Sequence, residues 1–165
     1  MLSTISFQKL FDIQSKFAGT LLAFDPGETT GICVFKGSGL AYHDQIKTLT
    51  PEERLTNLNW AFEMAQPTHV VYENYRVYGD KAKDHTNQEL ITPRVIGTIE
   101  DQCTLRKIPH ANQMASLAKG FVTDDKLRAW KFWHEGQKHA RDATRHAIYY
   151  LLFTYPRLIK EGKLK

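Results

Sequence analysis

Three acidic residues stand where a carboxylate can do chemistry. Asp25 follows the apolar run LLAF and Glu73 follows HVVY, so each is expected at the tip of a rigid, buried strand. Asp142 lies in a helical stretch, with His139 three residues before it and His146 four after, a spacing that puts all three on one helix face. Acids gathered at one sheet edge need a counter-charge. A hard divalent cation, Mg²⁺ or Mn²⁺, supplies it, because such ions take oxygen ligands, keep several waters and bind phosphate beside one or two carboxylates. The start of the helix bearing His139 would also favour phosphate through its dipole.

Each residue also has a plainer reading. Asp25-Pro26-Gly27 fits an ordinary turn, Glu73 a cap or a pairing with an arginine, and Asp142 an exposed ion pair with Arg145 or Lys138. His139 and His146 fit ordinary packed or surface positions. What favours a site is the conjunction, in order, of two strand-end acids and a His-x-x-Asp helix.

These residues need elements to carry them. TLLAFD, TGICVFK and LAYHDQIKT read as three strands of an antiparallel meander, broken at Pro26-Gly27 and at Gly37-Ser38-Gly39. Thr50-Pro51-Glu52-Glu53 predicts a capped helix start, with Leu55, Leu58, Phe62 and Ala65 as the buried face. Pro67 ends that helix, THVVYENY follows as a fourth strand, and RVYGDKAKDHTNQ reads as a polar loop. A helix then opens near Thr92-Pro93 and includes Ile96, Ile99 and Cys103, and RKIPH is a short fifth strand. Asp124 is expected to cap a helix that carries Leu127, Trp130 and Trp133 and stops at Gly136. The last helix runs from about Lys138 to Tyr155, before Pro156, with Tyr150 and Phe153 continuing the stripe of His139 and Asp142. The order β-β-β-α-β-α-β-α-α makes an α/β fold: a five-stranded mixed sheet, its first three strands antiparallel, flanked by helices.

A chain of 165 residues is read as one domain, 1–165, with 1–18 as an N-terminal extension that forms an extra helix of no evident function. With 42% hydrophobic and 24% charged residues it is neither disordered nor fibrous. No apolar run approaches the roughly 18 residues of a membrane span, and no secretory segment opens the chain, so a cytoplasmic protein is expected. Cys33 and Cys103 lack metal-site spacing and read as reduced structural thiols. A net charge of +4 allows an anionic partner without requiring one. Tyr75, Arg76, Tyr78, Lys81 and Lys83 mix aromatics for stacking on unpaired bases with cations for phosphates. Lys119, Lys126 and Arg141 are further candidate phosphate contacts.

DPGETTG (25–31), the strand ending in Glu73, and HARDATRHA (139–147) together resemble the three acidic blocks of the RuvC-type Holliday junction resolvases, in the RNase H-like superfamily. The resemblance runs from about residue 20 to 155. It implies an RNase H-like fold in which Asp25, Glu73, His139 and Asp142 are catalytic and bind two Mg²⁺ or Mn²⁺ ions. It further implies in-line hydrolysis giving 5′-phosphate and 3′-hydroxyl ends, and a homodimer acting on four-way DNA junctions without a nucleotide cofactor. Many members have Asp where this chain has His139, which here would move a proton. The family's wedging aromatic is expected about where Arg76 stands, with Tyr75 or Tyr78 as substitutes. The helix near 92–106, or the one bearing Trp130 and Trp133, is the candidate dimer patch. Other readings are a related nuclease for flap or branched DNA or RNA:DNA hybrids, and a silent DNA-binding relative. The first block also resembles the phosphate loop of actin-like sugar kinases and ATPases, which need two such domains and more chain than this.

Overall fold

In the computed structural model, which describes residues 5–76 and 90–164, side-chain alternation along the central strands sets the layering. Strands β1 (Thr20–Asp25), β2 (Thr29–Lys36), β3 (Gly39–Lys47), β4 (His69–Glu73) and β5 (His110–Gln113) form one sheet in the order β3-β2-β1-β4-β5. The β1–β2 and β2–β3 pairings are antiparallel, and β1–β4 and β4–β5 are parallel. This is the five-stranded mixed sheet expected from the sequence. The middle strand β1 is covered on both faces, which is why it reads as an unbroken apolar run.

Leu21 and Ala23 of β1, with Cys33 and Val71, pack beneath α6 (Lys138–Tyr149) through its Ala143, Ala147 and Ile148. Leu22 and Phe24, with Ile32, Val70 and Tyr72, face α2 (Pro51–Ala65) and α3 (Ile91–Arg106) on the other side. The N-terminal helix α1 (Phe7–Gln14), capped by Ser6, buries Phe7 and Phe11 in the first of these cores. Cys33 and Cys103 are buried and unpaired, and burial pushes both thiols up to about 12. Among the described residues no helix is long and apolar enough to cross a membrane.

Several boundaries differ from the sequence reading. On α2, Leu55 is 59% exposed and Arg54 is buried instead, because its guanidinium donates to the carbonyls of Thr48 and Leu49. The fifth strand is His110–Gln113 and not RKIPH. Arg106 still belongs to α3, and Lys107 ends it in the left-handed region (φ 55°), its N–H satisfying the carbonyls of Cys103 and Thr104. Helix α4 (Ala115–Phe121) was not foreseen. Thr123, not Asp124, caps α5 (Asp124–Ala129), leaving the Asp124 carboxylate to pair with Arg145. That helix ends well before Gly136, and Trp130 is buried. Nor does the last helix end before Pro156: α6 runs through a π-helical turn (Tyr150–Thr154) into α7 (Tyr155–Lys160), with Pro156 in the first turn of α7. A proline is tolerated at such a start because its missing N–H and fixed φ suit the first turn, and the wider π turn separates it from the α6 ladder.

Candidate active site

Because β1 and β4 are parallel neighbours, Asp25 and Glu73 end at the same edge of the sheet. Helix α6 crosses over that edge, and glycine at position 31 is what lets it. A Cβ there would lie 1.9 Å from the His139 carbonyl oxygen and 2.7 Å from the Ala140 nitrogen, both backbone atoms that cannot swing aside. The start of α6 is also held by β3, where Gln45 Oε1 accepts from the His139 N–H at 2.8 Å. The loop beyond Asp25 is braced by Thr48, whose hydroxyl donates to the Gly27 carbonyl at 2.6 Å and meets the Thr30 hydroxyl at 2.7 Å.

Five side chains meet over this edge: Asp25, Glu73, Asp142, His139 and Lys119. Asp25, 7% exposed, accepts from His139 Nδ1 through Oδ2 at 2.8 Å. The Lys119 ammonium, from α4, lies 3.0 Å from Glu73 Oε2 and 3.2 Å from Asp142 Oδ2 and so ties the second acid to the third. The other Asp142 oxygen accepts from Arg145 Nε at 3.1 Å. Arg145 is itself fixed by the Val122 carbonyl and the Asp124 carboxylate. Behind Glu73 the imidazole of His146 contacts the same Oε2 through Nε2 at 2.9 Å.

The electrostatics divide these acids. Burial raises the Asp25 carboxyl above the usual carboxylate range, outweighing its bond from His139, and the charges of Glu73 and Asp142 push the same way. Burial acts upward on Glu73 too, but bonds from His146 and Lys119 outweigh it and hold that carboxyl below the usual range. For Lys119, burial is outweighed by Glu73, Asp142 and Asp25, so its ammonium is held more firmly than usual.

Chemically the donor set suits a hard cation, with three carboxylates and one imidazole at a single edge and an ammonium already standing as counter-charge between two of the acids. Among the described residues, no three His, Cys, Asp or Glu side chains stand together as a ready metal-ligand cluster. Lys119 instead bridges Glu73 and Asp142, while Asp25 pairs with His139 and Glu73 also meets His146, so a divalent ion held between Glu73 and Asp142 would have to displace Lys119 from them.

No family model matches the sequence, and no curated protein matches it. The likeness lies in the structure. RuvC from T. thermophilus in complex with a Holliday junction substrate matches at TM-score 0.63 and 15% identity, over 82% of this chain and 94% of that one. The Thermus thermophilus RuvC structure matches at 0.62 and 15%, over 87% and 96%. The yeast mitochondrial Holliday junction resolvase Ydc2 matches at 0.54 and 12%, over 94% and 89%. This chain has the RuvC fold.

Within this RuvC-like, RNase H-like frame, the residues picked out by sequence fall into groups. Asp25, Glu73, Asp142 and His139 share the edge just described. Tyr75 and Arg76 continue from β4 directly beyond Glu73 and line a cavity of about 170 Å³ that also touches Glu73 and Pro26. Tyr78, Lys81 and Lys83 lie outside the described residues. Lys119 points at the acids themselves. Lys126 donates to the Phe121 carbonyl at 2.7 Å with its ammonium 3.7 Å from that residue's ring centroid. Arg141 donates to the His134 carbonyl at 2.8 Å and stacks on Trp133 at 4.4 Å.

Two further residues at this edge have partners that the sequence does not announce. From sequence His146 reads as an ordinary packed or surface histidine and Lys119 as a candidate phosphate contact; in the structure His146 is packed and bonded to Glu73, and Lys119 bridges Glu73 and Asp142. The i, i+7 spacing from His139 already put His146 on the site face of the helix, whereas Lys119 sits on a helix whose existence was missed. The pairing of Asp142 with Arg145 is present, as the plainer reading had it, but both residues are 8% exposed. It is therefore a buried, fixed pair and not a solvated one.

Proposed function

We propose that the protein is a structure-selective endonuclease that resolves four-way DNA junctions by divalent-metal-dependent phosphodiester hydrolysis. In this reading residues 1–165 are one nuclease domain with 1–18 as its extension, working as a homodimer in the cytoplasm, or in host cytoplasm or an organelle matrix. The observation that carries it is the convergence of Asp25, Glu73 and Asp142, with His139, on one sheet edge of a RuvC fold. Support for the substrate comes from the comparison proteins, one of them bound to a Holliday junction.

Asp25, Glu73, His139 and Asp142 would hold Mg²⁺ or Mn²⁺, two ions per site, which when bound supply an activated water and neutralise charge on the scissile phosphate. The chain's residues do the rest. Arg145 keeps Asp142 aimed at the edge. His139, its side chain 43% exposed and anchored to Asp25, passes a proton between the site and solvent. Tyr75 and Tyr78 stack on unpaired bases, and Arg76, Lys81, Lys83, Lys119, Lys126 and Arg141 meet phosphates. Hydrolysis leaves 5′-phosphate and 3′-hydroxyl ends and uses no nucleotide cofactor. One site cuts one strand, so a two-fold dimer matches the two-fold symmetry of a junction.

The test is cleavage of a labelled four-way junction beside duplex, flap and RNA:DNA hybrid substrates in Mg²⁺, in Mn²⁺ and in chelator. Metal-dependent cutting confined to the junction is expected. Cutting of only flap or hybrid would keep the site and reassign its substrate, and no cutting at all would make the chain a silent DNA-binding relative.

A further inference from the structure

His146 has no place in the four-residue site, yet it is fully buried and polar. An imidazole away from water is costly unless its nitrogens are paired, and here both are. Nε2 lies 2.9 Å from Glu73 Oε2, and Nδ1 lies 3.1 Å from Gln113 Oε1. Gln113 ends β5, is buried, and through Nε2 reaches the Thr154 hydroxyl at 2.9 Å. Thr154, also buried, belongs to the π-helical turn. The chain Thr154–Gln113–His146–Glu73 thus joins the π-helical turn, β5, α6 and β4 without reaching solvent until it meets the acid.

A carboxylate only accepts, so His146 Nε2 carries the proton in its contact with Glu73. With Gln113 Oε1 at Nδ1, the ring faces acceptors on both sides. Exchanging the oxygen and nitrogen of that amide, which are nearly indistinguishable in shape, gives a donor to Nδ1 and an acceptor for the Thr154 hydroxyl, with a neutral ring protonated at Nε2. Either pattern holds the ring in the same place. The contrast with Lys119, the other partner of Glu73 Oε2, is in stiffness. Lys119 reaches in on a four-carbon stem and is 38% exposed, whereas His146 is 0% exposed and clamped at both nitrogens.

We infer that His146, locked by Gln113 and Thr154, is a positioning residue that fixes the Glu73 carboxylate for cation binding. It keeps that orientation when Lys119 gives way. The inference rests on the metal-dependent reading above. Partners that orient a metal-binding side chain from behind typically contribute 10–100-fold to metal affinity or activity.

The test uses the full chain and three variants, with Mn²⁺ affinity measured by calorimetry without DNA, alongside kcat and KM on a junction. His146→Leu is expected to weaken Mn²⁺ binding and lower kcat by about 10–100-fold each, with KM for the junction little changed. His146→Gln places an amide N–H near the position of Nε2 and should restore most of both losses. Gln113→Met unlocks the ring while leaving it beside Glu73, and should give a smaller loss of Mn²⁺ affinity. If His146→Leu does not fold, this third variant and the Gln substitution decide the matter. Wild-type Mn²⁺ affinity and kcat in a folded His146→Leu protein, or in Gln113→Met, would overturn the inference, as would a loss that appears only in KM or that glutamine fails to rescue. A wild-type chain that neither binds Mn²⁺ nor cuts would bring down the metal reading itself and this inference with it.

Discussion

Asp25 and Asp142 are both nearly buried acids at one sheet edge, and the groups that face them differ. The folded state raises the Asp25 carboxyl, chiefly by burial, so its ionisation opposes folding. That penalty is fully present above the raised folded value and vanishes below the unfolded value near 3.8. Asp25→Asn should therefore abolish cleavage while raising the melting temperature in chelator at pH 7 by about 2 °C. Asp142, by contrast, is paired to Arg145 and Lys119. Asp142→Asn should likewise end cleavage, but cost on the order of 2 kcal/mol of stability by leaving Arg145 with a weaker partner. Thermal melts of the two variants beside the wild type check this, and shifts in the same direction would contradict it. Glu73 is held below its usual range, so its contribution is present above the unfolded value and lost as pH falls through the folded one. At the residue scale the acids were legible because each ends an apolar run or sits in a helical stripe. Lys119 and His146 were not, since their roles depend on which partners the fold brings across from other elements.

At the scale of elements, the site depends on how closely α6 lies on β2. Gly31→Ala would place a methyl against the His139 carbonyl, and the backbone there has no room to give. The helix start must then lift, carrying His139 and Asp142 with it. The expected result is a loss of about 1–3 kcal/mol in urea unfolding, with a fall in cleavage rate larger than the unfolded fraction explains. Wild-type cleavage in a stable Gly31→Ala protein would mean the close approach is not needed. The elements that the sequence made plain are those with a strong signal: the apolar runs of β1 and β2, the capping box of α2 and the helical stripe of α6. Those misread had weak or competing signals. The strand HANQ has two exposed residues and no apolar run, so the apolar Ile108 drew the expectation a few residues early. Asp124 looked like a cap because its type suits one, but Thr123 beside it took that role and freed the carboxylate for Arg145. Pro156 looked like a stop because nothing in the sequence announces a π turn before it.

For the whole molecule, a net charge of +4 is modest, so the proposed DNA affinity would have to come from where cations cluster and not from their total. Arg76 is exposed next to Glu73, which places it beside any strand lying across the acids. Arg76→Ala with Lys81→Ala should weaken junction binding and reduce the slope of log affinity against log salt by about two, while thermal stability stays unchanged. An unchanged slope would make Arg76 and Lys81 bystanders. Trp130, one candidate for a dimer surface, is buried against Phe7 and is unavailable to a partner. On α3, Leu105 is exposed, so that helix is the better of the two patches read from sequence.

Junction resolution by this site is tested by mapping nicks on all four strands of a labelled four-way junction, with Mg²⁺ or with chelator, for the wild type and for Asp142→Asn. Paired nicks at symmetry-related positions, carrying 5′-phosphates, are expected with wild type in Mg²⁺, and none with chelator or with the variant, which still binds the junction. Cleavage that persists in chelator, or in Asp142→Asn at the wild-type rate, would contradict it.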